Sequence, residues 1–120
     1  IWQALFAAAR ARDFNKVNEL LDYPLNRDDL NLADDRGNTL LLLLAWVNEP
    51  KSLNTRIASV KRLKGLGADI DSQIRDDKLT PLHCVAEEGE LEMMETLMAL
   101  GANVHAQDAR SNTPLHSVLG

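Results

Sequence analysis

Apolar residues return at helical spacing along most of this chain, and one stretch shows the pattern whole. From Thr80 to Gln107 the residues read TPLHCVAEEGELEMMETLMALGANVHAQ. Thr80 is a good N-cap, because its hydroxyl can accept an otherwise unpaired backbone N–H, and Pro81 suits the first helical position. The pattern predicts a short helix over Pro81–Glu88, ended by Gly89 in a left-handed conformation. Leu91, Met94, Leu97 and Met98 then form one apolar stripe on a second helix. Gly101 stops that helix, and residues 102–107 turn outward toward the next Thr-Pro. Two short antiparallel helices with a hairpin-like extension cannot bury their apolar face alone, so the unit needs stacked neighbours.

The rest of the chain can be laid against that stretch. Phe14, Val17, Leu20 and Leu21 match Leu91, Met94, Leu97 and Met98 at a constant offset of 77 residues. Gln3–Ala9 then falls where Thr80–Ala86 falls, without the Thr-Pro start. The residues after Leu21, DYPLNRDDLNLAD, are longer than their counterpart after Met98, so the first hairpin carries an insertion. A second unit starts at Asp34-Asp35-Arg36-Gly37-Asn38-Thr39, where Gly37 is available for a positive φ. Leu40 and Leu42 replace the Pro and His of TPLH. Ile57, Val60 and Leu63 continue this unit into GLGADID, the counterpart of ALGANVH. Thr39 to Gly67 is 28 residues and Thr80 to Gly101 is 21, so seven extra residues lie between the two helices, around Asn48–Asn54 with Pro50 in the loop. That insertion is either a neutral excursion or a functional one. A second TPLH at Thr113–His116 opens a fourth unit, cut off after one helix.

Thr39, Thr80 and Thr113 are 41 and 33 residues apart, and 41 less the seven-residue insertion is 34. A 33- to 34-residue period with TPLH resembles the ankyrin repeat. The resemblance implies an all-α solenoid of stacked helix-turn-helix units with hairpin loops. Residues 1–120 then form a single domain with repeats at about 2–33, 34–74, 75–107 and a truncated 108–120. It also implies that Thr80 with His83, and Thr113 with His116, fasten the turn that leads into each repeat, with Pro81 and Pro114 opening the helices. Thr39 is kept in the second unit, but Leu42 leaves apolar contact in place of that polar clasp. Lys78 and Ser111 stand where Gly37 stands, so those two turns are expected to be strained or different in shape.

Composition narrows the function classes. Hydrophobic residues make up 45% and aromatics 4%, which suits closely packed helices with an aliphatic core. The apolar run Leu40–Trp46, even with Val47 after it, is far shorter than a membrane span, which needs roughly 20 residues. A formal net charge of −5 argues against a nucleic-acid role. Cys84 is the single cysteine, which excludes an intrachain disulfide and fits the cytoplasm or another reducing compartment. The chain starts at Ile1 and ends part-way through a repeat, so it reads as an excised or processed domain. ALFAAARA could pass for the tail of a signal peptide, but it lacks a basic leader and aligns with a repeat helix.

No catalytic constellation survives scrutiny. His83 and Cys84 are adjacent on a helix and point about 100° apart, poor geometry for a dyad. His83 and Glu87 are spaced to share a metal, but neither HExxH nor CxxC accompanies them. LKGLGAD closes a helix where a phosphate loop would open one. No enzyme activity, metal or cofactor is therefore expected. Charge is uneven: residues 75–107 carry two basic and seven acidic side chains, a balance of −5, whereas residues 35–74 balance at +2. The acidic stretch is either a solvated face or a surface that steers a basic partner.

The resemblance also implies a binding surface, the concave side made by hairpin tips and the exposed ends of the first helices. Its tips are Asp35, Arg36 and Asn38, then Asp76, Asp77 and Leu79, then Ala109, Arg110 and Asn112. The helix-end column is Arg10, Trp46 with Val47, and Glu87 with Glu88. Trp46 is either covered by the nearby insertion or an anchor for a partner. The implied function is that of a monomeric scaffold or adaptor module binding a protein or peptide, which could be basic, with no nucleic acid or membrane. The alternative is a substrate- or host-targeting domain of a larger enzyme or secreted bacterial effector acting in host cytosol, its catalytic part outside these residues.

Overall fold

Seven α-helices, paired by short turns, make up the described part of the chain. The structure, a computed structural model, describes residues 2–23, 30–34, 36–47, 49–73 and 76–119, with side chains to 116. Asp35, Asn48 and Arg75 lie outside these residues, as does the middle of the first hairpin insertion, 24–29. In chain order the helices are α1 (Trp2–Arg10), α2 (Phe14–Leu20), α3 (Leu40–Ala45), α4 (Leu53–Leu66), α5 (Pro81–Glu88), α6 (Leu91–Ala99) and α7 (Pro114–Leu119). No strand occurs among the described residues; Ala33 and Thr39 form an isolated antiparallel bridge.

The helices form two layers. In the first, α1 packs on α3, α3 on α5 and α5 on α7; in the second, α2 packs on α4 and α4 on α6. Each second-layer helix also packs on its own first-layer partner, so the chain is an all-α ankyrin-type solenoid. The helix ends follow from the sequence. Thr39 and Thr80 cap α3 and α5 by accepting the backbone N–H groups of Leu42 and His83, at 3.3 Å each. Gly67 and Gly89 end α4 and α5 in the left-handed region, at φ of 111° and 74°.

The core is a continuous aliphatic cluster threaded through both layers, including Leu5, Val17, Leu41, Leu44, Leu63, Leu82 and Leu97. Its composition suits the close approach of the helices, since branched aliphatic residues fill most of the space between layers, with Phe6 and Phe14 as its rings. The stripe expected on α6 is corrected in one respect. Met93 and Leu97 enter the core, whereas Leu91 and Met98 are 66% and 43% exposed. They meet no further second-layer helix, because α6 is the last of that layer among the described residues.

The described residues added between α3 and α4 are folded. Pro50–Ser52 forms a 3-10 turn, and α4 runs for 14 residues where α6 has nine. This segment is organised by Arg56, whose side chain is fully buried. Its Nε donates to Ser52 Oγ at 2.9 Å, and one terminal nitrogen donates to the Leu44 and Ala45 carbonyls at 3.2 and 3.4 Å. The other donates to the Glu49 carbonyl at 3.0 Å and to Glu90 Oε1 at 3.3 Å. Five donors thus meet five acceptors, the condition under which a buried guanidinium is tolerated.

Candidate partner-binding site

The hairpins project from one edge of the stack, and their tips are built alike. In the first, Asp34 Oδ1 accepts the N–H groups of Arg36 and Asn38 at 2.9 Å each, while Asp34 N–H donates to the Asn38 carbonyl at 2.8 Å. In the last, Asp108 Oδ1 accepts from Arg110 at 2.8 Å and Asn112 at 2.9 Å, and its N–H donates to the Asn112 carbonyl at 2.9 Å. Both aspartates hold their pKa below the ordinary carboxylate value. At Asp34 burial opposes ionisation, but the Asn38 N–H, the Arg10 guanidinium and the Arg36 N–H outweigh it. At Asp108 the Asn112 N–H is the main cause, against some desolvation. Sequence reasoning passed over both residues, although an Asp five residues before the repeat's Thr is a readable side-chain-to-backbone turn signal.

The tips are tied to one another. Ala109 N–H donates to the Asp77 carbonyl at 2.9 Å, and Gln73 Nε2 reaches the Lys78 and Gln107 carbonyls at 2.9 and 2.7 Å. Lys78 and Ser111 adopt the same left-handed conformation as Gly37, with φ of 56° and 64° against 79°. These two turns keep the shape of the glycine turn and carry the strain of a side chain at positive φ. His83 fastens α5 to the last hairpin: its Nε2 lies 2.8 Å from the Asn112 carbonyl, and its Nδ1 accepts the Thr80 N–H at 3.2 Å. That acceptance puts the ring proton on Nε2, which donates to Asn112. Thr113 N–H donates to His116 Nδ1 at 3.1 Å. In α3, Leu42 is buried where a histidine stands in α5.

Along this edge the side chains of α5 and the two last hairpins enclose a cleft of about 590 Å³. Asp77, Glu87 and Asp108 give it an acidic lining, with Leu79, Arg110 and Asn112 completing the wall. The structure therefore brings Asp77, Leu79, Glu87, Arg110 and Asn112 to one place. Asp76 and Glu88 are exposed nearby in the chain but do not line the cleft. Arg36 is exposed at the first tip, and Asn38 is half-buried there with its side-chain oxygen unpartnered. Asp35 lies outside the described residues.

Arg10 ends α1 at the other extremity of the stack. It pairs with Asp34 at 3.1 Å and sits 5.7 Å above the Phe6 ring. Trp46 and Val47 follow α3 and are both half-buried, so the tryptophan is neither sealed in the core nor fully presented. No group of three or more His, Cys, Asp or Glu side chains suited to a metal is found among the described residues. No described helix is long and apolar enough to cross a membrane.

Similarity to known proteins agrees with this architecture. Residues 51–119 match a family model described as ankyrin repeats, three copies. The chain is similar to Rabankyrin-5 of Homo sapiens, 42% identical over 55 residues, which is 46% of this chain and 5% of that protein. It is also similar to ankyrin repeat domain-containing protein 49 of Bos taurus, 40% identical over 64 residues, 53% of this chain and 25% of that protein. The matched part thus spans a quarter or less of these relatives. With the layered helix pairs, the two TPLH starts and a family match over more than half its length, the chain belongs to the ankyrin repeat family.

Proposed function

We propose that this chain is a scaffold or adaptor module that holds a basic segment of another protein against its hairpin edge. Ankyrin repeats are in general protein–protein interaction modules, and the family is typically non-catalytic. The observation that carries the finer reading is the cleft lined by Asp77, Glu87 and Asp108. A concave site where three carboxylates outnumber the single Arg110 guanidinium, with Leu79 among its lining, suits a lysine or arginine whose aliphatic stem lies along the leucine. A monomer working in the cytoplasm fits the buried lone cysteine Cys84.

The test uses proximity labelling of wild type beside Trp46→Ala and a Glu87→Lys/Glu88→Lys double variant, each verified as folded by circular dichroism. The double variant is expected to lose the partner and the wild-type interaction to weaken as salt rises. A partner retained by both folded variants moves the site elsewhere, first to the Pro50 insertion. The matched relatives are far longer than this chain, which favours a second reading. In it the same surface targets a larger enzyme or secreted effector to its substrate.

A further inference from the structure

The acidic cleft has a counterpart at the other end of the stack, with one charge reversed. Laying α1 on α5 pairs Trp2 with Leu79, Phe6 with His83 and Arg10 with Glu87, and laying the first hairpin on the last pairs Asp34 with Asp108. Trp2, Phe6, Arg10 and Asp34, with Leu32, line a cleft of about 360 Å³ in the same position relative to helix and hairpin. The two clefts are one structural site built twice, and their chemistry differs.

Three observations define what the N-terminal cleft would accept. Its wall is apolar and aromatic: Leu32 is 52% exposed, Trp2 is half-buried, and Phe6 lies under the Arg10 guanidinium. Arg10 replaces the glutamate of the acidic cleft, and half of its side chain is exposed while Asp34 holds its head. The indole nitrogen of Trp2 is buried and has no hydrogen-bond partner. Buried donors are nearly always paired, so the orphaned indole N–H beside the cleft leaves a donor open to an acceptor that enters there. Asp34 is directed inward: its Oδ1 accepts two backbone N–H groups and its Oδ2 accepts from Arg10.

We infer that this cleft is a second subsite of the binding edge, taking an apolar side chain with an adjoining carboxylate. The apolar group lies against Trp2, Phe6 and Leu32. The carboxylate accepts from Arg10 and, with a small turn of the ring, from the Trp2 indole. The inference rests on the hairpin-edge reading above and makes the partner bipolar: apolar and acidic at α1, basic at α5. First-layer helices stack at about 8–10 Å, so two steps from α1 through α3 to α5 cover roughly 16–20 Å. An extended segment spans that distance in about five to six residues at ~3.3 Å each.

The experiment is a 15N NMR titration of the whole chain with three probes: acetyl-Leu-Asp-amide, acetyl-Leu-Asn-amide and acetyl-Lys-Lys-amide. The Leu-Asp probe is expected to move the Trp2 indole resonance and the amides of Gln3, Phe6, Arg10 and Ala33. Its Leu-Asn analogue should bind at least fivefold more weakly. The Lys-Lys probe should move Glu87, Ala109 and Arg110 instead. Arg10→Glu should abolish the Leu-Asp response and admit the Lys-Lys probe to the first cleft. Trp2→Phe, a milder change that keeps the apolar wall, should weaken the Leu-Asp probe severalfold, so a poorly folded Arg10 variant does not decide the matter. If Leu-Asp and Leu-Asn act alike, or neither moves the first cleft, while Lys-Lys still maps to Glu87, the subsite is overturned and the hairpin-edge reading stands. If no probe and no labelled partner maps to either cleft, both readings fall.

Discussion

Arg56 on α4 and Glu90 at the start of α6 form an ion pair at 3.3 Å, and the arginine is wholly buried. Glu90 occupies the N-cap position of α6 but makes no cap hydrogen bond, its carboxylate being directed to the arginine. The Arg56 guanidinium also lies 5.8 Å from the Phe14 ring on α2. One side chain thus joins its own helix pair to the pairs on both sides of it. The segment between α3 and α4 is held by the same group and is part of the scaffold.

Removing Arg56 should therefore be costly and asymmetric. Arg56→Met takes the guanidinium from the Leu44 and Ala45 carbonyls and from Glu90, while the Glu49 carbonyl keeps its Ser52 donors, and a loss of about 3–5 kcal/mol is expected. Glu90→Gln keeps an acceptor and sacrifices only charge, so about 1 kcal/mol is expected. Urea unfolding of both variants checks this. A loss under 1 kcal/mol for Arg56→Met would show that the network is not structural.

His83 couples α5 to the last hairpin, so its effect should be local. His83→Ala leaves the Thr80 N–H without its acceptor and takes one of two donors from the Asn112 carbonyl, which keeps Asp108 N–H, at a cost of roughly 1–3 kcal/mol. Hydrogen exchange should quicken at the α7 amides while α1 and α2 keep their protection. Uniform loss of protection would refute a local clasp.

The strained turns allow a stabilising change. Lys78 and Ser111 hold φ values of 56° and 64°, where a side chain is penalised and glycine is not. Lys78→Gly and Ser111→Gly relieve that strain but loosen the unfolded chain, so a net gain of up to about 1 kcal/mol each is expected. The urea midpoint measures it, and a decrease for both would mean that the strain is negligible.

Acid should weaken the hairpins in a defined window. The folded-state pKa values of Asp34 and Asp108 lie below the ordinary value of 3.8, so the folded chain binds protons less readily than the unfolded one. Their contribution is complete above that value and is lost as pH falls from about 4 through the lowered folded values. An Asp34→Asn/Asp108→Asn double variant should flatten the fall in Tm between pH 5 and pH 3. An unchanged slope would assign acid sensitivity to other carboxylates.

Much of the fold was legible because its determinants are local. Thr80, Pro81 and Gly89 bound α5 through capping and φ preference, which depend on neighbours a few residues away. The constant offset of 77 placed α1 and α2 for the same reason. The stripe on α6 was read less well. Periodicity tells which residues share a face, but the neighbouring layer decides whether that face is covered, and Leu91 and Met98 have none over them.

The candidate surface divides the same way. Hairpin tips and helix ends follow from register, so Asp77, Leu79, Glu87, Arg110 and Asn112 could be named from the repeat alone. The pairing of Asp34 with Arg10, the opposed clefts and the burial of Arg56 could not. Each depends on groups 24 to 34 residues apart or on the packing of separate pairs, as Arg10 with Asp34 and Arg56 with Glu90 show. The sequence by itself determined the repeating unit, since capping, φ preference and periodicity act within a few residues. Only the tertiary structure decided which charges are buried, paired or presented, because burial and Coulomb energy depend on what the stacked helices bring alongside.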